Sequence, residues 1–298
     1  MLWIILSLTA SIFYALRHVV IKKYLKDVDT LLMAFSYRFF SVLFLLPLLL
    51  VLNVEPTTKL FWIITFSTAV LTAVASILQI KAIQKYELSI SVPFLAFVPL
   101  FMVLSVYLVY KELPEYYALI GIFILVAGSF ILTAGNNNGK WYTVRNIFQS
   151  KGSVFFFIVA VIFGITSTID RIAIEDVMND GFTYTFYWHI LSTILFSFIF
   201  FNKRKNKLYL AQVKMYIRGF VLQGVFGITA FLLQMLAIEK AFQLEANVLY
   251  IKAITLLQLL ISVVFGIFLF KEKHVRNKLL GAVVMIIGAL IIILSKKG

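Results

Sequence analysis

With 298 residues, 62% of them hydrophobic and only 13% charged, and a mean hydropathy of +1.00, the chain lacks the polar surface of a soluble domain, which carries about 25% charged residues. Its formal charge of +14 sits in short basic clusters between apolar runs and forms no continuous basic face, so nucleic acid is not an expected partner. The absence of cysteine excludes disulfides, thiolate metal sites and cysteine nucleophiles. The composition is that of an integral membrane protein surrounded by a lipid bilayer.

A spanning helix needs about 20 mainly apolar residues. Ten stretches meet that test, near residues 2–21, 30–52, 61–81, 88–110, 115–134, 153–172, 182–201, 216–238, 246–270 and 277–295. Helices are expected because unpaired backbone groups cannot be left in lipid, and no alternating pattern suggests a barrel.

The first span begins Met1-Leu2-Trp3 with no basic residue before it, which reads as an uncleaved helix rather than a signal peptide. It carries Ser7, Ser11, Tyr14 and His18 within one third of its circumference, with Arg17 at the edge. His18 is a candidate for coupling to protons or another ion gradient, since imidazole exchanges protons near neutral pH; the plainer reading is a hydrated or structural histidine. The third span has the clearest polar stripe: Thr65, Thr68, Thr72, Ser76 and Gln79 recur at helical spacing. Such groups line a solvated path or join helices together. The fourth span contains Pro93 and Pro99 among phenylalanines, and a proline there frees carbonyls and kinks the helix.

Residues 135–151, opening Gly135-Asn136-Asn137-Asn138-Gly139-Lys140, read as a linker between two units at 1–134 and 152–298. The sixth span carries Ser167, Thr168, Asp170 and Arg171, with the two charges near a predicted helix end where hydration is cheap. The eighth span repeats the stripe of the third as Gln223, Gly227, Ala230 and Gln234. Lys252, about seven residues into the ninth span, is the most telling side chain, because an ionisable group at membrane depth costs about 2.5–3.5 kcal/mol on insertion scales. Glu245 shares its helix face, Tyr250 is near, and Thr255 lies about 60° around the helix. Lys252 is expected to bind an anionic group from a cavity, or else to snorkel or pair with Glu245 or Asp170.

Lys111-Glu112 followed by Gly121 and Gly128 recurs 160 residues later as Lys271-Glu272 followed by Gly281 and Gly288. Ile77 to Ile83 likewise aligns with Leu232 to Ile238, placing Gln79 and Gln234 at one repeat position. Each half has five spans, so the second half enters the membrane in the opposite direction: an all-α membrane protein built as two inverted five-helix repeats around a central cavity. Inverted repeats commonly hold a substrate site at the midplane between the halves. The glycines are expected to serve close helix packing, and the Lys-Glu pairs to be hydrated loop charges.

Ten spans in two halves, each ending Lys-Glu, Gly, Gly, resemble the drug/metabolite transporter superfamily, in particular its EamA-type permeases. Ala34-Phe35-Ser36-Tyr37-Arg38-Phe39-Phe40 looks like that family's aromatic-Arg-Phe start of helix two, with Tyr187-Trp188-His189 in the equivalent place of the second half. The resemblance implies a secondary carrier whose cavity is lined mainly by helices one, three, four, six, eight and nine. It also makes Arg38 a candidate for substrate contact or for structural pairing.

An even number of spans puts both termini on one side, where six basic residues lie against eighteen on the other. The positive-inside rule then puts the termini outside, although relatives in this superfamily are often described with cytoplasmic termini. The leading functional expectation is alternating-access transport of an amino acid or other anionic or zwitterionic metabolite, with export favoured. Small multidrug relatives depend on a glutamate in the first helix, and none is present here; a lipid-linked sugar carrier is the second transport reading. A membrane enzyme is disfavoured, since no HExxH, GxSxG or P-loop occurs and His18, His189 and His274 are scattered. The oligomeric state is not legible.

Overall fold

The computed structural model describes residues 2–86, 92–134, 151–201, 206–244, 248–270 and 275–295. The first half contributes α1 (Leu2–Tyr24), α2 (Thr30–Leu45), which tightens into a 3-10 turn over Leu46–Leu50, and α3 (Lys59–Lys85). The fourth span is a 3-10 segment, Val92–Phe97, running into α4 (Val98–Tyr110), and the fifth is α5 (Tyr116–Ala134). In the second half α6 (Lys151–Arg171) continues through a π turn, Ile172–Met178, and is followed by α7 (Gly181–Phe201) and α8 (Asn206–Phe242). The ninth span divides into α9 (Val248–Thr255) and α10 (Leu257–Phe270), and α11 (Val275–Leu294) closes the bundle.

Among the described residues, seven helices are long and apolar enough to cross a membrane, and Phe94–Tyr110, Tyr116–Ile131 and Leu280–Leu294 are shorter apolar helices. Helix starts follow local chemistry. Asp29 caps α2 by accepting from the amides of Leu31 and Leu32, at 2.9 and 3.2 Å, and Thr58 caps α3 by accepting from Phe61. Pro99 sits in the first turn of α4, where its missing N–H is no loss, so the fourth span restarts at Val98. The ninth span breaks at the corresponding level, at Leu256, with no proline. Lys111 ends α4 in the left-handed conformation, φ 58°, its amide reaching back to the Tyr107 carbonyl.

Helix contacts obey the two-fold relation between the halves. α1 packs on α8 as α6 packs on α3, α2 on α8 as α7 on α3, and α1 on the divided ninth span as α6 on the divided fourth. α5 and α11 form a pair of their own, and here the repeated glycines act. A Cβ on Gly121 would stand 2.8 Å from the Gly288 carbonyl oxygen, and one on Gly288 would stand 2.7 Å from that of Gly121. Gly128 meets Gly281 and the Met285 amide in the same way, so the helices run antiparallel with backbones touching at both crossings. On α3, Ile63, Phe66, Val70 and Val74 are exposed to lipid while Thr65, Thr68, Ser76 and Gln79 on the opposite face are buried. That division is the helical period at work.

Candidate functional site

The inward faces of both halves line a cavity whose empty space, open mouth included, is about 860 Å³. Residues three and four apart on each helix supply its wall. α1 contributes Tyr14, Arg17 and His18; α3 contributes Thr72, Ser76 and Gln79. α6 adds Phe163, Thr166, Ser167 and Asp170, and α8 adds Phe231 and Gln234. Both broken spans reach the cavity at their breaks: Leu95 and Val98 from the fourth, Lys252, Thr255, Leu256 and Gln258 from the ninth. Discontinuous helices beside a midplane cavity leave backbone groups free to meet a ligand. Helices two and seven also take part, through Tyr37 and Trp188.

Of the side chains picked out in the sequence, Tyr14, His18, Thr72, Ser76, Gln79, Gln234, Lys252 and Thr255 therefore meet here, together with Arg17, Ser167 and Asp170. Arg38, Gln223 and Tyr250 do not reach the wall. Arg38 is fully buried behind it, donating to the Ser76 hydroxyl at 2.8 Å and the Ala34 carbonyl at 3.1 Å, with its guanidinium 4.2 Å from the Phe196 ring. It fixes Ser76 rather than facing the cavity. Gln223 spends its amide on the Met33 carbonyl and the Ser36 hydroxyl, 3.1 and 2.9 Å away, and ties α8 to α2. Tyr250 is buried on another face of α9. Glu245 lies outside the described residues.

The charges on the wall are Asp170, Lys252 and Arg17. Asp170 is buried, and the Tyr184 hydroxyl donates to its Oδ1 at 2.5 Å; that hydroxyl also lies 3.2 Å from the Thr68 hydroxyl. Lys252, at the break of the ninth span, and Asp170, on α6, line the same cavity with no direct ion pair between them. Arg17 lies with its guanidinium 4.2 Å from the Tyr37 ring centre. His18 places Nδ1 3.2 Å from the Ser262 hydroxyl. Among the described residues no cluster of His, Cys, Asp and Glu could hold a metal.

A second polar cluster lies on the face that carries the termini. Arg171 pairs with Glu175 at 2.6 Å and with Glu112 of the other half at 3.0 Å, and stacks 4.1 Å from the Tyr110 ring. The Tyr110 hydroxyl donates to Asp176 at 2.5 Å. Glu112 of the first Lys-Glu mark is thus a bridge between the halves as well as a half-hydrated loop charge. Lys271 and Glu272, its repeat partners, lie outside the described residues.

A solved crystal structure with 13% sequence identity aligns at a TM-score of 0.67 over 98% of this chain and 96% of its own, a likeness of fold. No curated protein matches the chain closely enough to count as a relative. A profile of the EamA-like transporter family matches residues 1–134 and 150–294. With a family match on both halves, an inverted pair of five-helix repeats and a polar cavity between them, the chain belongs to the EamA-like transporter family, and it is a membrane transporter of the drug/metabolite type.

Proposed function

We propose that the protein is a secondary active transporter that exports an amino acid or a closely similar zwitterion by alternating access of the central cavity. The observation that carries this reading is that Asp170, on α6, and Lys252, at the break of the ninth span, line one cavity without closing into an ion pair. A carboxylate and an ammonium held apart in a low-dielectric cavity match the ammonium and carboxylate of one amino acid. The hydroxyls and amides of Thr72, Ser76, Gln79 and Gln234 can hydrogen-bond either end. Two cations against one carboxylate make a poor receptor for lipophilic cations, which counts against multidrug export. Coupling to protons or another ion gradient, and termini on the outer side as the distribution of basic residues favours, complete the proposal.

A thermal-shift screen of the purified protein against amino acids, nucleosides, sugar phosphates and cationic drugs tests the substrate class. Amino acids are expected to raise the melting temperature; a shift with lipophilic cations alone refutes the reading.

Alternation requires the halves to part on the face of the termini, where Arg171 joins Glu112. Half-exposed ion pairs contribute about 0.2–1 kcal/mol each, so Glu112→Gln is expected to ease opening by a small factor. The native chain has no cysteine, and a single Thr166→Cys in the cavity wall reports water access. Its labelling from the terminal face should rise about 2- to 5-fold in the Glu112→Gln background; an unchanged rate would remove the latch from the mechanism.

A further inference from the structure

The proposed head-group site uses Asp170 and Lys252 and leaves one charge over. Arg17 is only 6% exposed, and its Nε–H is buried with no acceptor. Its contact is the face of Tyr37, which orients a guanidinium but accepts no hydrogen bond. The indole N–H of Trp188, also on the cavity wall, is likewise buried without an acceptor. The two belong to one region of the wall: Arg17 lies over Tyr37, and the Arg38 guanidinium lies 5.5 Å from the Tyr37 ring and 5.7 Å from the Trp188 ring. Besides Asp170 and Lys252, the wall therefore carries a cation and a neutral donor, Arg17 and Trp188, each with a buried N–H that no group of the protein accepts.

Buried donors are almost always satisfied in a working protein, and a buried unpaired charge is costly. The missing acceptor is supplied when cargo binds. We propose that Arg17, with the Trp188 indole, reads a second anionic group on the substrate, so that the cargo is an amino acid with an acidic side chain, carboxylate or phosphate. This rests on the reading of Asp170 and Lys252 as the site of the amino-acid head group. The charges then close: two protein cations and one substrate ammonium face two substrate anions and one protein carboxylate.

The test is equilibrium binding of glutamate, phosphoserine, leucine and glutarate to the purified full-length chain and to Arg17→Gln and Arg17→Lys, with melting temperatures as the folding control. Glutamate or phosphoserine should bind the native protein about 50-fold more tightly than leucine, and which of the two wins tells carboxylate from phosphate. Arg17→Gln should abolish that preference, so that glutamate and phosphoserine bind no more tightly than leucine, and Arg17→Lys should restore part of it. Should Arg17→Gln fail to fold, Arg17→Lys carries the test through a reduced preference. Leucine binding as tightly as glutamate, or an acidic preference that survives both substitutions, overturns the role of Arg17 and leaves the head-group reading standing. Glutarate binding without any amino acid overturns the head-group reading, and the acidic amino acid class falls with it.

Discussion

Asp170→Asn and Lys252→Met, made singly, are each expected to reduce substrate-dependent counterflow to background and to lower the melting temperature. Each removes one of two opposite charges on the same cavity wall and leaves the other uncompensated, Asp170 in a buried position and Lys252 in a half-buried one, which lowers stability. The double variant Asp170→Asn/Lys252→Met removes both charges, so its melting temperature should recover toward that of the native protein. Transport should stay at background, because the groups that receive the substrate's ammonium and carboxylate are gone. Loss of one such charge-assisted contact costs about 2–5 kcal/mol in binding, enough to lower affinity by a factor of about 30 or more. If Lys252 merely neutralised Asp170, the double variant would transport.

The second large effect lies far from the cavity. Gly121→Leu, or Gly288→Leu, is expected to leave little folded protein in the membrane and to lower the melting temperature of what remains by more than Glu112→Gln or Arg17→Gln does. Even a Cβ at either position would meet the opposing carbonyl oxygen within 2.8 Å, and the branched side chain has nowhere to go between touching backbones. Overpacking costs about 1–3 kcal/mol even where neighbours can yield, and backbone atoms yield least. Neither glycine lines the cavity, so transport per folded molecule should be unchanged. Thermal denaturation of the variants in detergent checks this, and a native melting temperature for Gly121→Leu would contradict the packing given for α5 and α11.

The architecture was legible because its causes are local or repetitive. Apolar length defines spans, the recurrence of Lys-Glu, Gly and Gly exposes the duplication, and five spans per half dictate inversion. Thr72, Ser76, Gln79 and Gln234 were found because a polar stripe at helical period must face away from lipid. Period alone does not say what the stripe faces, and that is why Arg38 and Gln223, equally polar and equally buried, turn out to join helices. The depth of Asp170 and Arg17 is not legible for a geometric reason. The apolar windows end their spans at 172 and 21, whereas α1 runs on to Tyr24 and the helix containing Asp170 continues through a π turn to Met178. Both charges thus lie deeper in the bundle than the apolar windows implied. The break at Leu256 left no mark in the sequence, since no proline or glycine signals it. The bridge from Glu112 to Arg171 joins residues 59 apart on different halves, a pairing that only the folded chain reveals.

Counterflow of a labelled amino acid into proteoliposomes preloaded with the same unlabelled compound tests the central claim most directly. The native protein is predicted to accumulate label transiently, with glutamate or phosphoserine competing best and Lys252→Met and Asp170→Asn giving only the background of protein-free vesicles. Undiminished counterflow in both variants, or counterflow seen with lipophilic cations and no amino acid, would contradict the account.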